Sequence, residues 1–402
     1  MTRQLILPFL VILFVSLPAT GTPATWFVDA SVAEPGDGRS WATAFTRIQD
    51  AIDAAEDGDT VIVAPGTYPE NIPFGGKNII LTSINPLDSD IVAATVIDGN
   101  QAGSVVTFSG GESESCTLSG FTIRNGKNNY AAGICGGTWE NHTHATIRNN
   151  LIVANSADQD GGGLAYCDGV IESNVIRENS ADRGAGLLWC DGVIQHNTIH
   201  GNSAGYSGGG LADCDGLIRK NTIAENSARH GGGLAHCDGV IEGNDISHNT
   251  ASWSGYGPGQ GGGLASCQAL IQGNTISHNH AGVGGGLYRC DRTIRNNVIS
   301  RNDVGGGDGG GLANCDGLIQ ENIISSNSDI GLYECDGTVD SNTISENVGA
   351  LFECDGLIQL NMIYGNGGSR YYDGGLSYCD GTIQNNLVVG NSPGLSFCHG
   401  TV

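Results

Sequence analysis

The chain has 402 residues, 65 of them glycine, with 39% hydrophobic and 15% charged residues. That composition can build an apolar core and excludes a disordered polyelectrolyte. A net charge of −25 repels phosphate backbones and anionic lipid, so nucleic acid is excluded as a partner, and an acidic glycan fits only where a cation such as Ca2+ bridges it.

Residues 1–24 carry Arg3, an apolar run from Leu5 to Leu17, and small residues ending at Thr22, Pro23 and Ala24. This is the layout of a cleaved secretory signal, so the mature chain is expected to be secreted or held at a cell surface. No other segment approaches the roughly 20 apolar residues that span a bilayer. Residues 25–402 are read as a single domain, of which 25–130 form an N-terminal cap with the first coils. There, 26–30, 60–64 and 78–82 read as strands. Between them, residues 43–54 place Phe45, Ile48, Ala51 and Ile52 on one helical face. Such a helix would lie over the open first coil and cover its apolar edges.

From about residue 131 one pattern recurs, clearest from Gly161 through Leu164, Cys167-Asp168-Gly169, Ile171, Asn174, Ile176 and Asn179, with a period of about 19 to 32 residues. No stretch sustains helical spacing; apolar residues sit in short strands between polar turns. Three strands and three turns make one coil, and stacked coils pair each strand in parallel with its copy at about 4.8 Å. A single coil cannot bury its apolar face, so the stack is the smallest stable unit. Residues 131–402 are therefore regular repeats of an all-β parallel solenoid.

Several columns follow from the repeat. One asparagine column runs from Asn150 to Asn386 and a second from Asn155 to Asn391. Their amides are expected to donate to one neighbouring copy and accept from the other, on left-handed turns. The cysteines from Cys167 to Cys398 recur once per coil with no Cys-x-x-Cys pair, which points to a buried thiol ladder and against zinc, with some disulfides between stacked copies as the alternative. The aspartates behind them, Asp168 to Asp380, are expected to cap the following glycine turn; the sharper alternative is a row of Ca2+ sites. Ca2+ is the one cofactor that the sequence suggests, and no metal ligand is assigned. Length variation falls just before Gly-Gly-Leu, which puts the insertions on one turn overlooking one face.

The stretch from Ser40 to Tyr68 and the coils after it resemble the right-handed parallel β-helix proteins of the pectin-lyase-like superfamily. The Gly-Gly-Gly-Leu and Ile-x-x-Asn units are similar to those of polymorphic outer membrane protein passenger domains. The resemblance covers nearly the whole mature chain and implies an all-β, right-handed parallel β-helix with an N-terminal capping helix. It implies either a polysaccharide-active enzyme or a non-catalytic surface protein. The polygalacturonase, pectate lyase and alginate epimerase signatures are absent from the sequence.

The residue before each cysteine is polar and varied between fixed neighbours, so the column should face solvent on a strand face. Tyr166, Trp189, Asp213, His236, Arg289 and Tyr378 are its binding candidates, because rings beside carboxylates and an Arg suit sugar stacking and hydroxyl recognition. Trp253, Tyr256, Tyr371 and Tyr372 on the variable turn would wall the groove. Asp213, His236, Glu334 and Glu353 are the weak acid–base candidates, with no pair marked by spacing. His248 and His278 are expected to stack on successive coils as surface residues. The leading expectation is a non-catalytic exported protein that binds a polysaccharide or a cell-surface component; the alternatives are a polysaccharide lyase or glycoside hydrolase on the same face and a purely structural surface spacer. Self-association through an open C-terminal coil is also expected.

Overall fold

The computed structural model describes residues 22–252, 257–306, 308–368 and 373–401. The chain winds into stacked coils whose strands, one short hairpin at 137–142 apart, pair with the equivalent strands of neighbouring coils. Three long parallel sheets result, of 15, 14 and 14 strands among the described residues. In one coil they contain Val170–Glu172, Val175–Arg177 and Leu187–Leu188. The register is strict: Ile171 pairs with Ile194 and Ile176 with Ile199.

Each coil sends the same side chains inward. Ile171, Ile176, Leu187 and Cys190 are fully buried, as are their copies Ile194, Ile199, Leu211 and Cys214. Burying each such aliphatic side chain stabilises the stack by about 1.5–3 kcal/mol. The N-terminal helix α1 (Ile48–Ala54) buries Ile48, Ala51 and Ile52 in the same apolar column. It starts at Ile48 rather than at residue 43, because residues 41–43 form a separate 3-10 turn. A second short helix, α2 (Ser89–Ala94), is capped by Asp88, whose carboxylate accepts the Asp90 and Ile91 N–H groups; sequence reading missed it.

Among the described residues eight coils carry a fourth strand, so the three-strand expectation is corrected. Lys127–Tyr130, Ser156–Asp160, Ser180–Arg183 and their successors to Asp303–Val304 form an eight-stranded sheet. In four of these strands its signal is a Ser-Ala pair after the second asparagine, at 156–157, 180–181, 203–204 and 227–228. Ala157, Ala181, Ala204 and Ala228 are buried together, while Ser180 Oγ donates to Ser156 Oγ at 3.0 Å and Ser227 Oγ to Ser203 Oγ at 3.1 Å.

Both asparagine columns form the expected ladders. Asn226 Nδ2 donates to Asn249 Oδ1 at 3.1 Å and to the Ile199 carbonyl at 2.9 Å, while its own Oδ1 accepts from Asn202. The left-handed residue is the one before each asparagine, such as Glu225 and His248, so that part of the expectation moves by one position. The aspartate column also works differently from the expected glycine-turn cap. Asp168 Oδ1 accepts the Asp191 N–H at 2.9 Å, Asp191 Oδ1 the Asp215 N–H at 2.7 Å, and so on to His399. Stacking aligns each carboxylate with the next coil's backbone better than with its own.

All 13 cysteines are free thiols, and 11 of them are buried. The Cys237 Sγ donates to the Ala235 carbonyl at 3.4 Å, and the Cys237 N–H points at Cys267 Sγ at 3.5 Å. Burial pushes the thiols of Cys237 and Cys267 well above the usual cysteine range, which suppresses the reactive thiolate. Because the other eleven are shielded from solvent, an aromatic disulfide reagent added to the native chain is expected to modify no thiols beyond the half-buried Cys135 and Cys398. The rest should react only in denaturant. Rapid labelling of the native ladder would contradict this packing.

Candidate functional site

The column before each cysteine stands at a corner rather than on a strand face. Tyr166, Trp189, Asp213, His236, Arg289 and Tyr378 all have left-handed backbone, with φ between 48° and 64°. The coil breaks its strand there and turns, and the following cysteine points in; the side chain ahead of it is exposed at His236, Arg289 and Tyr378, whereas Tyr166 is buried at 9% exposure, which corrects the expectation of a wholly solvent-facing column. Non-glycine residues pay about 1–2 kcal/mol for this conformation, and the repeated hydrogen bonds of the stack hold them in it.

At the first regular coils the column meets a second element. The backbone of Gly137–Thr138 pairs antiparallel with Asn141–His142, which makes a hairpin between Cys135 and Thr143. Cys135 pairs with Ala165 and Thr143 with Cys167, so this coil holds six extra residues at the corner (eight positions from 135 to 143 against two from 165 to 167). Length variation is therefore not confined to the turn before Gly-Gly-Leu. Trp139 sits at the hairpin tip and is 75% exposed.

Between the hairpin and the column lies an open cleft of about 650 Å3, lined by Tyr130, Trp139, Tyr166 and Trp189 with Gln159, Asp160 and Arg183. Tyr166 stacks on Trp189 with ring centroids 5.3 Å apart and is tilted against His142 at 5.3 Å. Arg183 closes one side. Its Nε and Nη2 each donate to Asp160 at 2.9 Å, and its guanidinium stands 5.0 Å from the Trp189 ring. That two-pronged pair orients the guanidinium plane and leaves further N–H groups for a ligand. Tyr130 Oη donates to Gln159 Oε1 at 2.8 Å across neighbouring coils.

The structure brings Tyr166 and Trp189 together and places Asp213 and His236 one and two coils farther along. Burial lifts the Asp213 carboxyl above its usual range, and the charges of His236 and Arg183 pull it back. His236 and Arg289 are exposed, and Arg289 lies 5.2 Å over the Tyr288 ring. Glu334 and Glu353 belong to a different region. Four coil steps separate His236 from Glu334, about 19 Å at 4.8 Å per step, so the four acid–base candidates cannot act on one bond. Glu334 accepts from Asn314 Nδ2 at 2.7 Å. The Glu353 carboxyl is pushed up by burial and by Glu334. Asp329, not foreseen, is raised to about 6 by burial and the nearby Asp308.

Tyr378 belongs to a distal aromatic ladder. Its ring lies 5.4 Å from Phe352 and 4.9 Å from Phe397, and Phe352 stacks on Tyr333 at 5.7 Å. His248 and His278 stack as expected, 4.9 Å apart and 2° from parallel. Trp253, Tyr256, Tyr371 and Tyr372 lie outside the described residues, as do residues 1–21 of the signal segment.

Sequence reasoning missed Trp139, Tyr130 and Arg183. The available signal was the excess length between Cys135 and Ile147, with a tryptophan in its middle.

Residues 188–333 match the family model described as a right handed beta helix region. Together with the all-parallel stacked sheets, this decides the architecture. The chain is a right-handed parallel β-helix protein. This agrees with the pectin-lyase-like superfamily that its coils resemble. No curated protein matches the chain. No helix among the described residues of the β-helix is long and apolar enough to cross a membrane.

Proposed function

We propose that the β-helix is exported after loss of residues 1–24 and binds a neutral or cation-bridged glycan in the cleft beside the 137–142 hairpin. The observation that carries this reading is the convergence of four aromatic rings with the oriented Asp160–Arg183 pair around one open cleft. Aromatic faces cover the apolar faces of sugar rings, and the guanidinium, carboxylate and Gln159 amide match hydroxyl donors and acceptors. An open groove along a solenoid suits a polymer that spans several coils. A depression of about 460 Å3 on the other side shares Gln159, Asp160 and Arg183 with the cleft and extends to Tyr206.

The test is a glycan array probed with residues 25–402. Trp139→Ala and Trp189→Ala are each expected to weaken the best hit about 10- to 100-fold, the loss of roughly 1.4–2.8 kcal/mol of contact. Tyr378→Ala should leave it unchanged. Full binding by both tryptophan variants would remove the cleft from consideration.

Asp213 supports a second reading, because a raised carboxyl one coil beyond Trp189 and beside His236 is placed to exchange a proton with a bound sugar. Release of reducing ends or unsaturated products, abolished in Asp213→Asn, would make the protein a glycoside hydrolase or polysaccharide lyase. Binding without products would leave it a non-catalytic adhesin.

A further inference from the structure

The aspartate ladder begins differently from the way it continues. At Asp168, Asp191 and Asp215 the carboxylate gives Oδ1 to the N–H of the next coil, which leaves Oδ2 for another partner. At the first step the hairpin adds a third donor: His142 Nδ1 lies 2.9 Å from Asp168 Oδ2. The ligand atoms of His142, Asp168 and Asp191 all fall within 4.8 Å of one another, the one such trio of His, Cys, Asp or Glu among the described residues.

We infer that His142, Asp168 and Asp191 form a binding site for a divalent transition metal of the zinc type. Three features of the geometry support it. The His142 and Asp168 side chains are only 16% and 22% exposed, so two of the three donors are held and partly dehydrated before any ion arrives. The His142 ring is fixed against Tyr166, which leaves Nδ1 facing the carboxylates. A zinc ion at about 2.0–2.2 Å from each donor spaces its ligand atoms roughly 3–3.5 Å apart. His142 Nδ1 and Asp168 Oδ2, 2.9 Å apart in their hydrogen bond, need open by only a few tenths of an ångström to take an ion in place of the shared proton, and Asp191, which is exposed, can close the remainder by side-chain rotation.

The donor set also selects the metal. Calcium takes six to eight oxygens, whereas each ladder aspartate has one oxygen engaged by backbone and here a nitrogen joins the set. One imidazole and two carboxylates suit zinc and its neighbours in the first transition row. Three protein ligands leave coordination positions for water or for a ligand in the adjoining cleft, since Tyr166 is shared by both. The site is independent of what the cleft binds.

The full chain, stripped with chelator, is titrated with ZnCl2 by calorimetry and with CoCl2 by visible absorption. One equivalent of Zn2+ is expected, together with a Co2+ spectrum distinct from that of the aqueous ion. His142→Gln and Asp191→Asn should each weaken uptake at least tenfold. His278→Gln should change nothing, because His278 stacks on His248 and contacts Ser277, with no contact to the cluster. Circular dichroism of each variant reports whether it folds, and the wild-type Co2+ spectrum stands as evidence if one does not. Absence of uptake, uptake lost in His278→Gln but kept in His142→Gln, or uptake indifferent to Asp191→Asn would overturn the site. The last outcome would reduce the cluster to a His142–Asp168 ion pair.

Discussion

Replacing Asn226 by leucine lowers the stability of the β-helix by about 5–7 kcal/mol. Asn226 is fully buried in the middle of its ladder. It accepts from the Asn202 N–H at 3.0 Å and from Asn202 Nδ2 at 2.9 Å, and it donates to Ile199 and Asn249. Leucine keeps the shape and removes all four bonds. Each is worth about 1 kcal/mol net, and the buried Asn202 N–H left without its acceptor costs about 1–3 kcal/mol more. Denaturant midpoints measure the loss. Asp238→Ala is the internal comparison, because it also removes a coil-to-coil bond, from the Gln268 N–H at 2.7 Å, but at an exposed position where water replaces the carboxylate. Its midpoint should barely move. Equal shifts in the two variants would show that ladder burial is not what matters.

Gly231→Val is expected to cost about 3–5 kcal/mol or to prevent folding, while Gly243→Ala costs about 1 kcal/mol. Both glycines have left-handed backbone, with φ of 60° and 62°. A Cβ at Gly231 would come within 2.0 Å of the Leu234 carbonyl oxygen and 2.9 Å of the Ala235 Cβ, because the glycine run folds back over the strand after it. At Gly243 the nearest atom would be 3.9 Å away, on the Lys220 side chain. The equivalent position in the preceding coil is Lys220 itself, at φ 53°. Backbone strain is thus common to both sites, and overpacking, worth about 1–3 kcal/mol, arises only at Gly231. Valine adds a β-branch to an already strained corner. A melting temperature for Gly231→Val within a few degrees of that for Gly243→Ala would refute the close approach.

The sequence by itself determined the coil, because a repeat states its own geometry. Ile171 and Ile176 alternating with Asn174 and Asn179, copied once per coil, require parallel stacking with the isoleucines inside and the amides in register. The face of α1 that covers the first coil was legible for the same reason, since Ile48, Ala51 and Ile52 share one side of a helix. The thiol ladder followed from one cysteine per coil.

Only the tertiary structure decided where the periodic pattern breaks and what the breaks bring together. The hairpin that carries Trp139 and His142 happens once, so no column announces it, and its fold-back sets His142 against Asp168 from 26 residues away. The corner conformation of Tyr166 and Trp189 depends on backbone torsion, which a variable column does not encode. The partner of each aspartate was settled by the stacking distance, which favours the neighbouring coil's N–H over the chain's own turn. The separation of Asp213 and His236 from Glu334 and Glu353 came from counting coils in space. A periodic sequence specifies the contacts that repeat, whereas a site made by one insertion lying across several coils exists only once the coils are stacked.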